Sequence, residues 1–460
     1  MQINCIIAAK MKCWEYSAKL FGSYYTLFIV IVVYLIFFNG AMSLTWSSPV
    51  LVKLSKTEGN PLGHPLTEVQ SDLVGSLLFI GAAIGPLLFM RSADIFGRKK
   101  TIILLSMPAI AGYCFIIFAS RVEMLYIGRI LIGLSIGSLS SVVSAYLSEV
   151  IFSPEKRGPY LAINSPSIQF GILVSNIVGS YFSLNTYNCM ILIINISVVI
   201  IIAFCCPESP YYTIGKKGRD ATLHILKDLD AEDIHKEVGL LEKDTKDQRQ
   251  TLCDIFKNKS NFKPFFMATT LLLLQQFSGI NILIAYSQQI FLKSKEFLSV
   301  ENSSIIVSII QVLSTLAITV TSKRFSRKSL LTVSLFGSGF FDLMLGLYFY
   351  FEDKLQEFCW IPLISLMLFV FIYDSGLDAL PWVYVGEIYP QHMKYVGPAL
   401  TTSFYWISLY ALSIAFSRFH VSYLFFTYSL CCFSGVIFVK FQITETKDKT
   451  LREIQETLNA

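Results

Sequence analysis

The sequence predicts an all-α membrane protein in which twelve spanning helices form two similar six-helix bundles. The chain of 460 residues is 54% hydrophobic and only 15% charged, and its mean hydropathy of +0.58 is too high for a soluble protein of this length. Its apolar residues fall into runs of about 20, the length that an α-helix needs to cross a bilayer. The predicted spans lie near residues 24–46, 72–90, 101–119, 124–147, 159–181, 187–206, 264–292, 305–322, 330–351, 360–384, 397–417 and 421–441.

A long polar interruption divides these spans six and six. It predicts an N-terminal segment (1–23), a first bundle (24–206), a loop with short amphipathic helices (207–263), a second bundle (264–441) and a tail (442–460). The two bundles repeat one plan, since Asp94-Ile-Phe-Gly-Arg-Lys99 after the second span matches Lys323-Arg-Phe-Ser-Arg-Lys328 after the eighth. Duplicated six-helix halves are typical of secondary transporters, which bind substrate near the bilayer midplane between the halves.

The positions of the basic residues predict the orientation. Most of the 37 Lys and Arg residues fall on one side of the membrane, and cytoplasmic loops collect such residues, so both termini are expected in the cytoplasm. The net charge of +5 therefore reflects topology and attraction to the lipid bilayer, and it gives no case for nucleic acid. On this topology Asn302-Ser-Ser304, in the external loop between spans 7 and 8, is the available glycosylation acceptor.

The most informative stretch is Leu274-Gln-Gln-Phe-Ser-Gly-Ile-Asn281, which places three amides inside the apolar seventh span. Buried amides cost several kcal/mol unless a polar partner answers them. A sugar is such a partner, because each hydroxyl both donates and accepts and an amide side chain offers both roles without a charge.

Further motifs are spread from about Gly40 to Ile454. They are Gly128-Arg129 with Gly133, Tyr146, Glu149 and Arg157-Gly158; Pro207-Glu-Ser-Pro210; Gln275-Gln-x-Ser-Gly-x-Asn281; Pro381-Trp382 with Glu387; and Glu445-Thr-Lys447 with Thr450-Leu451. In this order and spacing they resemble the sugar porters of the major facilitator superfamily. Within that group the chain is most similar to the facilitative glucose transporters and their trehalose branch.

The resemblance implies a substrate site and an inward gate. In the family the helix 7 amides hold the sugar, a tyrosine forms part of the external gate, and two tryptophans line the cavity. In the family, ion pairs between the halves close the cytoplasmic side. The alternative is that these charges only reflect the positive-inside rule and have no gating role. The implied substrate-binding residues are Gln275, Gln276, Asn281, Gln311, Trp382, Trp406 and Tyr286. The implied gating residues are Asp94, Arg98, Glu149, Arg157, Glu208, Arg324, Arg327, Glu387, Lys394 and Glu445.

Several positions depart from the family pattern. The family's helix 5 glutamine corresponds to Ser165, and its Gly-Pro-Gly-Pro before the helix 10 Pro-Trp reads Gly376-Leu-Asp-Ala379, which places Asp378 beside the expected sugar. The helix 11 asparagines correspond to Tyr405 and Leu409. We therefore expect an altered pocket to which Ser165 and Asp378 both contribute.

Three functions follow from this pattern. Proton-coupled relatives carry an aspartate in helix 1, where this chain has Met42 and no acid in the span, so a uniporter for glucose, another hexose or trehalose is the leading expectation. A proton-coupled symporter remains open because Asp374 and Asp378 lie four residues apart in helix 10. A non-transporting sugar sensor is the third; a long cytoplasmic tail would be expected of it, whereas 442–460 is short.

Other classes are disfavoured. The sequence has no nucleophile elbow, phosphate loop or metal cluster, so we expect no enzyme activity, cofactor or metal. The ten cysteines show no C-x-x-C spacing and are expected to pack rather than to form disulfides. The expected partners are a small-molecule sugar and the lipid bilayer, in the plasma membrane. A monomer suffices for this function, and the oligomeric state stays open.

Overall fold

A computed structural model describes residues 14–57, 60–89, 91–229, 238, 259–292, 298–321, 325–389, 393 and 396–445. The first half holds α1 (Tyr25–Thr45, running on as Ser47–Leu54), α2 (Glu68–Phe89), α3 (Arg98–Ile117), α4 (Val122–Val150), α5 (Asn164–Tyr181) and α6 (Leu184–Cys205). The second half holds α7a (Lys259–Gln276) and α7b (Ile280–Leu292), α8 (Val300–Thr321), α9 (Arg327–Tyr350), α10a (Ile361–Asp374) and α10b (Leu380–Ile388), α11 (Val396–Arg418) and α12 (Val421–Gln442).

The twelve-span prediction is confirmed. Within the described ranges, eleven helices are long and apolar enough to cross a membrane, and the remaining span, α10, is divided into two short helices. Side chains that point away from the bundles are large and apolar; Leu88, Phe118, Leu430 and Phe441, for example, are between 65% and 74% exposed. Such exposure is stable only against lipid.

Boundaries differ from the predicted spans where polar residues belong to a helix. α1 runs on past residue 46 through Ser47-Ser48-Pro49, because proline is tolerated in the first turn of Ser47–Leu54. α8 begins at Val300 rather than near 305, since its first turn is the polar Glu301-Asn302-Ser303. Hydropathy cannot detect either extension. Asn302 consequently lies in the first turn of α8 and not in a loop as expected.

The two halves pack according to the same plan. The pairs α1–α5, α2–α4 and α3–α6 in the first half correspond to α7–α11, α8–α10 and α9–α12 in the second. The halves meet through α2 against α11 and through α5 against α8, which are themselves equivalent pairs. A substrate site between the bundles is thus bordered by α1, α7 and these four helices.

Close contact between α2 and α4 depends on small residues. A Cβ atom built on Gly133 would lie 1.9 Å from the carbonyl oxygen of Leu78, and one on Gly137 would lie 2.0 Å from that of Ala82. Small residues let membrane helices approach until backbone meets backbone. These glycines therefore set the distance between α2, which contacts the second half, and α4.

The loop between the halves contains two short helices in its described part, Pro210–Lys217 and Arg219–Asp228. The first begins at a helix start that the sequence provides, because Ser209 accepts from the Tyr212 N–H and Pro210 occupies the first turn. Most of residues 230–258, the N-terminal 1–13 and the tail beyond 445 lie outside the described residues.

Candidate functional site

The seventh span breaks at the amide-rich stretch. α7a ends at Gln276 and α7b begins at Ile280, and between them Gly279 adopts a φ of 80°. A side chain there would be strained and would also meet the Tyr428 ring at 2.6 Å. The break releases backbone groups and turns neighbouring side chains toward one another, as in the discontinuous helices that form substrate sites in transporters.

Two of the predicted amides form one cluster around this break. The Asn281 Nδ2 group donates to Gln276 Oε1 at 2.8 Å and to the Tyr405 hydroxyl at 2.9 Å, while Gln276 Nε2 donates to the Tyr405 carbonyl at 3.3 Å. Gln276 is fully buried and Asn281 is partly exposed. No donor among the described residues reaches Asn281 Oδ1, so this oxygen is available to accept from a ligand hydroxyl.

The third amide, Gln275, faces the break in the tenth span. Its Nε2 atom lies 3.0 Å from the Tyr373 hydroxyl, 2.7 Å from the Leu377 carbonyl and 3.0 Å from the Asp378 carbonyl. Its Oε1 atom is buried without a donor from the described part of the chain. Gln275 thus ties α7a to the non-helical residues of α10, and the sequence did not predict that connection.

Aromatic rings border the amide cluster. Tyr405 lies edge-on between Trp382 and Trp406, with centroids 5.2 Å away on each side, and Trp406 stacks on Phe79 of α2 at 6.4 Å. The Trp406 Nε1 group is buried with no acceptor from the described residues. The two predicted tryptophans therefore meet through Tyr405, the residue that stands where the family carries asparagine.

Ser165 and Asp378 lie together, as the departures from the family pattern suggested. The Ser165 hydroxyl donates to an Asp378 carboxylate oxygen, so α5 of the first half is hydrogen-bonded to α10 of the second.

On α8, Gln311 is buried and its Nε2 finds no acceptor within the described chain. One turn further on, Ser314 and Thr315 donate to Asp374, the last residue of α10a.

Tyr286 lies away from the amide cluster, on α7b. Its hydroxyl is hydrogen-bonded to the Ser413 hydroxyl and its ring stacks on Phe416 at 5.0 Å. A Cβ on Gly75 of α2 would lie 2.4 Å from the Tyr286 hydroxyl oxygen, so the tyrosine fills a notch in the first half. This position between the halves is compatible with a gating residue, and the gating role itself stays a prediction.

Neutral hydrogen bonds join the halves at one end of the bundle, which we call the amide end. Ser48 and Ser287 hydroxyls are 2.8 Å apart, Gln288 donates from its backbone to Ser48 and from its side chain to Ser180, and Gln289 Nε2 lies 3.4 Å from the Ser47 carbonyl. Asn176 of α5 donates to Ser308 of α8 at 2.8 Å. The described structure is therefore closed at this end, by residues that the sequence analysis did not single out.

The opposite end, the charged end, carries the predicted gating residues. In the first half the buried Arg98 pairs with Glu149 at 2.9 Å and with Asp94 at 3.5 Å, and Glu208 accepts from the Lys99 and Ser209 backbone. In the second half Arg327 pairs with Glu387, and Glu445 accepts from the Arg327 and Lys328 backbone. Each half thus holds an equivalent Arg–Glu pair.

These ion pairs connect helices of the same half. Ion pairs between the halves are not seen among the described residues in this conformation, which is closed at the amide end, and the between-half gate stays a prediction. The pairs within each half follow from the duplicated plan, because each basic loop follows an even-numbered span and lies beside the next even-numbered helix of its own bundle. The Arg157 side chain, Arg324 and Lys394 lie outside the described residues.

Two charged residues are buried inside spans, and the sequence analysis assigned neither of them a role. Arg129 of α4 is fully buried and donates to the Ser43 carbonyl (2.9 Å), the Ser47 hydroxyl (2.8 Å) and the Val74 carbonyl (3.0 Å), with its guanidinium 4.8 Å from the Trp46 ring centre. It ties α4 to α1 and α2. Asp342, at the α9–α12 contact, is 1% exposed and lies 4.0 Å from Cys432 Sγ. Its position inside a span was the available signal.

Two halves of six helices, with broken spans meeting between them, define a secondary transporter of the major facilitator fold. The solved structure of the proton:xylose symporter XylE bound to 6-bromo-6-deoxy-D-glucose superposes with a TM-score of 0.76 at 20% identity, over 95% of this chain and 99% of that one. The inward-open structure of the xylose transporter XylE from E. coli superposes with a TM-score of 0.75 at 19% identity, over 94% of this chain and 99% of that one. These likenesses establish the fold.

The family model described as "Sugar (and other) transporter" matches residues 30–458, so the chain belongs to that family of multi-pass membrane transporters. The facilitated trehalose transporter Tret1 of Anopheles gambiae is 27% identical over 90% of this chain, which spans 54% of the length of that protein. Tret1 of Apis mellifera ligustica is 29% identical over 90% of this chain and 84% of its own length. The predicted family is confirmed, and both of these similar relatives are facilitated trehalose transporters, the branch that the sequence analysis named.

The closed amide end gives a testable expectation. Gln288→Leu removes one hydrogen bond between the halves, so the open population should rise. Spin labels at Ser55 and Leu298, exposed residues of different halves, should then show more of a longer distance in pulsed electron resonance, in a background without native cysteines.

Gln70→Leu is the matched control, because Gln70 lies at the same end but accepts only from the Thr67 backbone. If Gln288→Leu and Gln70→Leu give the same distance distribution as the parent protein, the amide end does not hold the halves together.

Proposed function

We propose that this protein carries a sugar of the glucose or trehalose class by facilitated diffusion, with the two bundles exposing the site alternately to each side. The observation that carries the proposal is the cluster of Gln276, Asn281 and Tyr405 at the α7 break, where uncharged amides and a phenol meet between the bundles. Donors and acceptors without charge suit a polyhydroxylated ligand, and the neighbouring rings of Trp382 and Trp406 suit the apolar face of a sugar.

The site is proposed to include the remaining predicted residues in distinct roles. Gln275 positions the α10 break, and Ser165 with Asp378 joins the halves beside the cluster. Gln311 and Trp406 present polar atoms that have no partner among the described residues. Tyr286 would belong to the closure at the amide end. The Arg98–Glu149 and Arg327–Glu387 pairs would hold each half rigid at the charged end while the halves move.

The proposed orientation in the membrane follows from the predicted topology. With both termini and the charged end in the cytoplasm, the amide end faces outward and Asn302 is accessible for glycosylation. Asn302 is exposed and accepts from the Tyr181 hydroxyl through Oδ1, which leaves its Nδ2 group for a glycan. We place the protein in the plasma membrane, acting as a transporter without enzyme activity or cofactor.

A proton-coupled symporter is the second candidate, and the observation in its favour is the carboxyl pair Asp374 and Asp378 in the α10 break. Against it, α1 contains no acidic residue between Tyr25 and Thr45, and Met42 is buried at the position where coupled relatives carry aspartate. A sensor would share the sugar site and lack net transport.

Transport is expected to ignore the proton gradient. Proteoliposomes should take up glucose, trehalose or another sugar of a labelled panel until internal and external concentrations are equal, because no carboxyl in α1 couples a proton to the sugar. Uptake is measured with an imposed pH gradient, with the gradient collapsed, and in empty liposomes as the control.

Accumulation above the external concentration that an uncoupler and Asp378→Asn both abolish would make the protein a symporter with its proton site in α10. Sugar binding without uptake of any sugar would make it a sensor.

A further inference from the structure

The break in α10 holds two carboxyl groups within a membrane span. α10a ends at Asp374 and α10b begins at Leu380, and the five residues between them include Asp378. The negative end of the α10a dipole and the positive end of the α10b dipole both lie at this break, so the two carboxyl groups are what distinguishes it. Among the described residues, no lysine, arginine or histidine forms an ion pair with either carboxylate.

Oxygen atoms surround the break. Asp374 is 5% exposed; one of its oxygens accepts from the Ser314 and Thr315 hydroxyls, and the other is buried with no donor from the described chain. The Ser165 hydroxyl lies on Asp378. Hydroxyl and carboxylate oxygens are the ligands that hard cations prefer.

An independent observation comes from α7a. The Gln275 side chain is 3% exposed, and its Nε2 is held against the Leu377 and Asp378 carbonyls, which places its Oε1 beside the same break. That oxygen is buried and has no donor among the described residues. A buried acceptor without a donor is destabilising, and a bound cation would relieve that cost.

We propose that the α10 break binds a sodium ion, held by Asp374 and Asp378 with oxygens of Ser314, Thr315, Ser165 and Gln275 as further ligands. Unwound backbone and half-helix C-termini coordinate small cations in other transporter folds. Because Ser165 belongs to the first half, the ion would strengthen the contact between α5 and α10.

The test is thermal unfolding of the purified full chain in detergent without sugar, in sodium chloride or in choline chloride of equal concentration and pH. Ligand binding to the folded state alone raises stability in proportion to the logarithm of ligand concentration above Kd. The midpoint should rise by several degrees in sodium, and the rise should be lost in Asp374→Asn and Asp378→Asn. Asp342→Asn, a buried carboxyl of α9 outside the site, should keep it.

Equal midpoints in sodium and choline for the wild type would overturn the proposal, as would a sodium response that persists in both aspartate variants. A midpoint that follows pH and not sodium would assign a proton to the carboxyls instead. If the aspartate variants do not fold, Ser314→Ala removes one hydroxyl ligand and should raise the sodium concentration needed for half the effect. Sugar uptake in choline medium tests the proposed function separately, so the two proposals can fail independently.

Discussion

Asn281→Leu is expected to weaken sugar binding at least about tenfold, which corresponds to about 1.4 kcal/mol. The substitution removes both roles of the amide. Its Nδ2 orders Gln276 and Tyr405, and its Oδ1, which no donor in the described part of the chain reaches, would accept from a sugar hydroxyl. A buried polar group left without a partner costs about 1–3 kcal/mol, so this single loss accounts for the expected change. The measurement is equilibrium binding of labelled sugar to purified protein.

Asn195→Leu is the matched control for that experiment. Asn195 lies in α6, is partly buried, and donates only to the Ile191 carbonyl of its own helix at 3.4 Å. Its replacement should leave the dissociation constant unchanged. Equal affinities in wild type, Asn281→Leu and Asn195→Leu would remove the α7 break from the binding site, and equal loss in both variants would show a general effect of the substitution.

Gly137→Ala is expected to destabilise the protein strongly or to prevent its folding. The added Cβ would lie 2.0 Å from the Ala82 carbonyl oxygen and 2.7 Å from the Ala82 Cα, and backbone atoms cannot rotate away as a flexible side chain can. Helices α2 and α4 must then separate. Overpacking of a well-packed contact costs about 1–3 kcal/mol even where side chains can adjust, so a larger cost is expected here.

Gly386→Ala provides the control, because a Cβ on Gly386 in α10b would meet no heavy atom within 4 Å. We expect unchanged or slightly raised stability, since alanine favours a helix over glycine. The readouts are the yield of monodisperse protein and the midpoint of thermal unfolding. If Gly137→Ala unfolds at the same temperature as Gly386→Ala, the α2–α4 contact is looser than the structure describes.

Much of the fold follows from composition and repetition, whereas the breaks in α7 and α10 do not. Runs of apolar residues locate spans because each must cover the hydrocarbon core, whatever its path. The α7 break depends on one glycine, Gly279, in a left-handed conformation, and the α10 break on residues 375–379. Hydropathy averages over both, which is why each was predicted as one continuous span.

The residues of the candidate site could be singled out from the sequence only in part, for a related reason. Gln276 and Asn281 stand out because amides are rare in an apolar run, and Ser165 and Asp378 stand out as departures from a family pattern. Ser48 and Ser287, which join the halves at the amide end, carry no such signal because serines are common in membrane helices. The charged residues that form the ion pairs at the charged end were predicted. Which of them pair with each other was not, because the pairing depends on packing within each half.

The measurement that tests the central claim most directly is a structure of the protein in lipid nanodiscs with the sugar that it transports fastest, determined by electron cryo-microscopy. We expect sugar density between the halves, within hydrogen-bond distance of Gln276 and Asn281 and with a ring face against Trp382 or Trp406. Density for that sugar at another position, with the Gln276–Asn281–Tyr405 cluster unchanged from the sugar-free protein, would contradict the account.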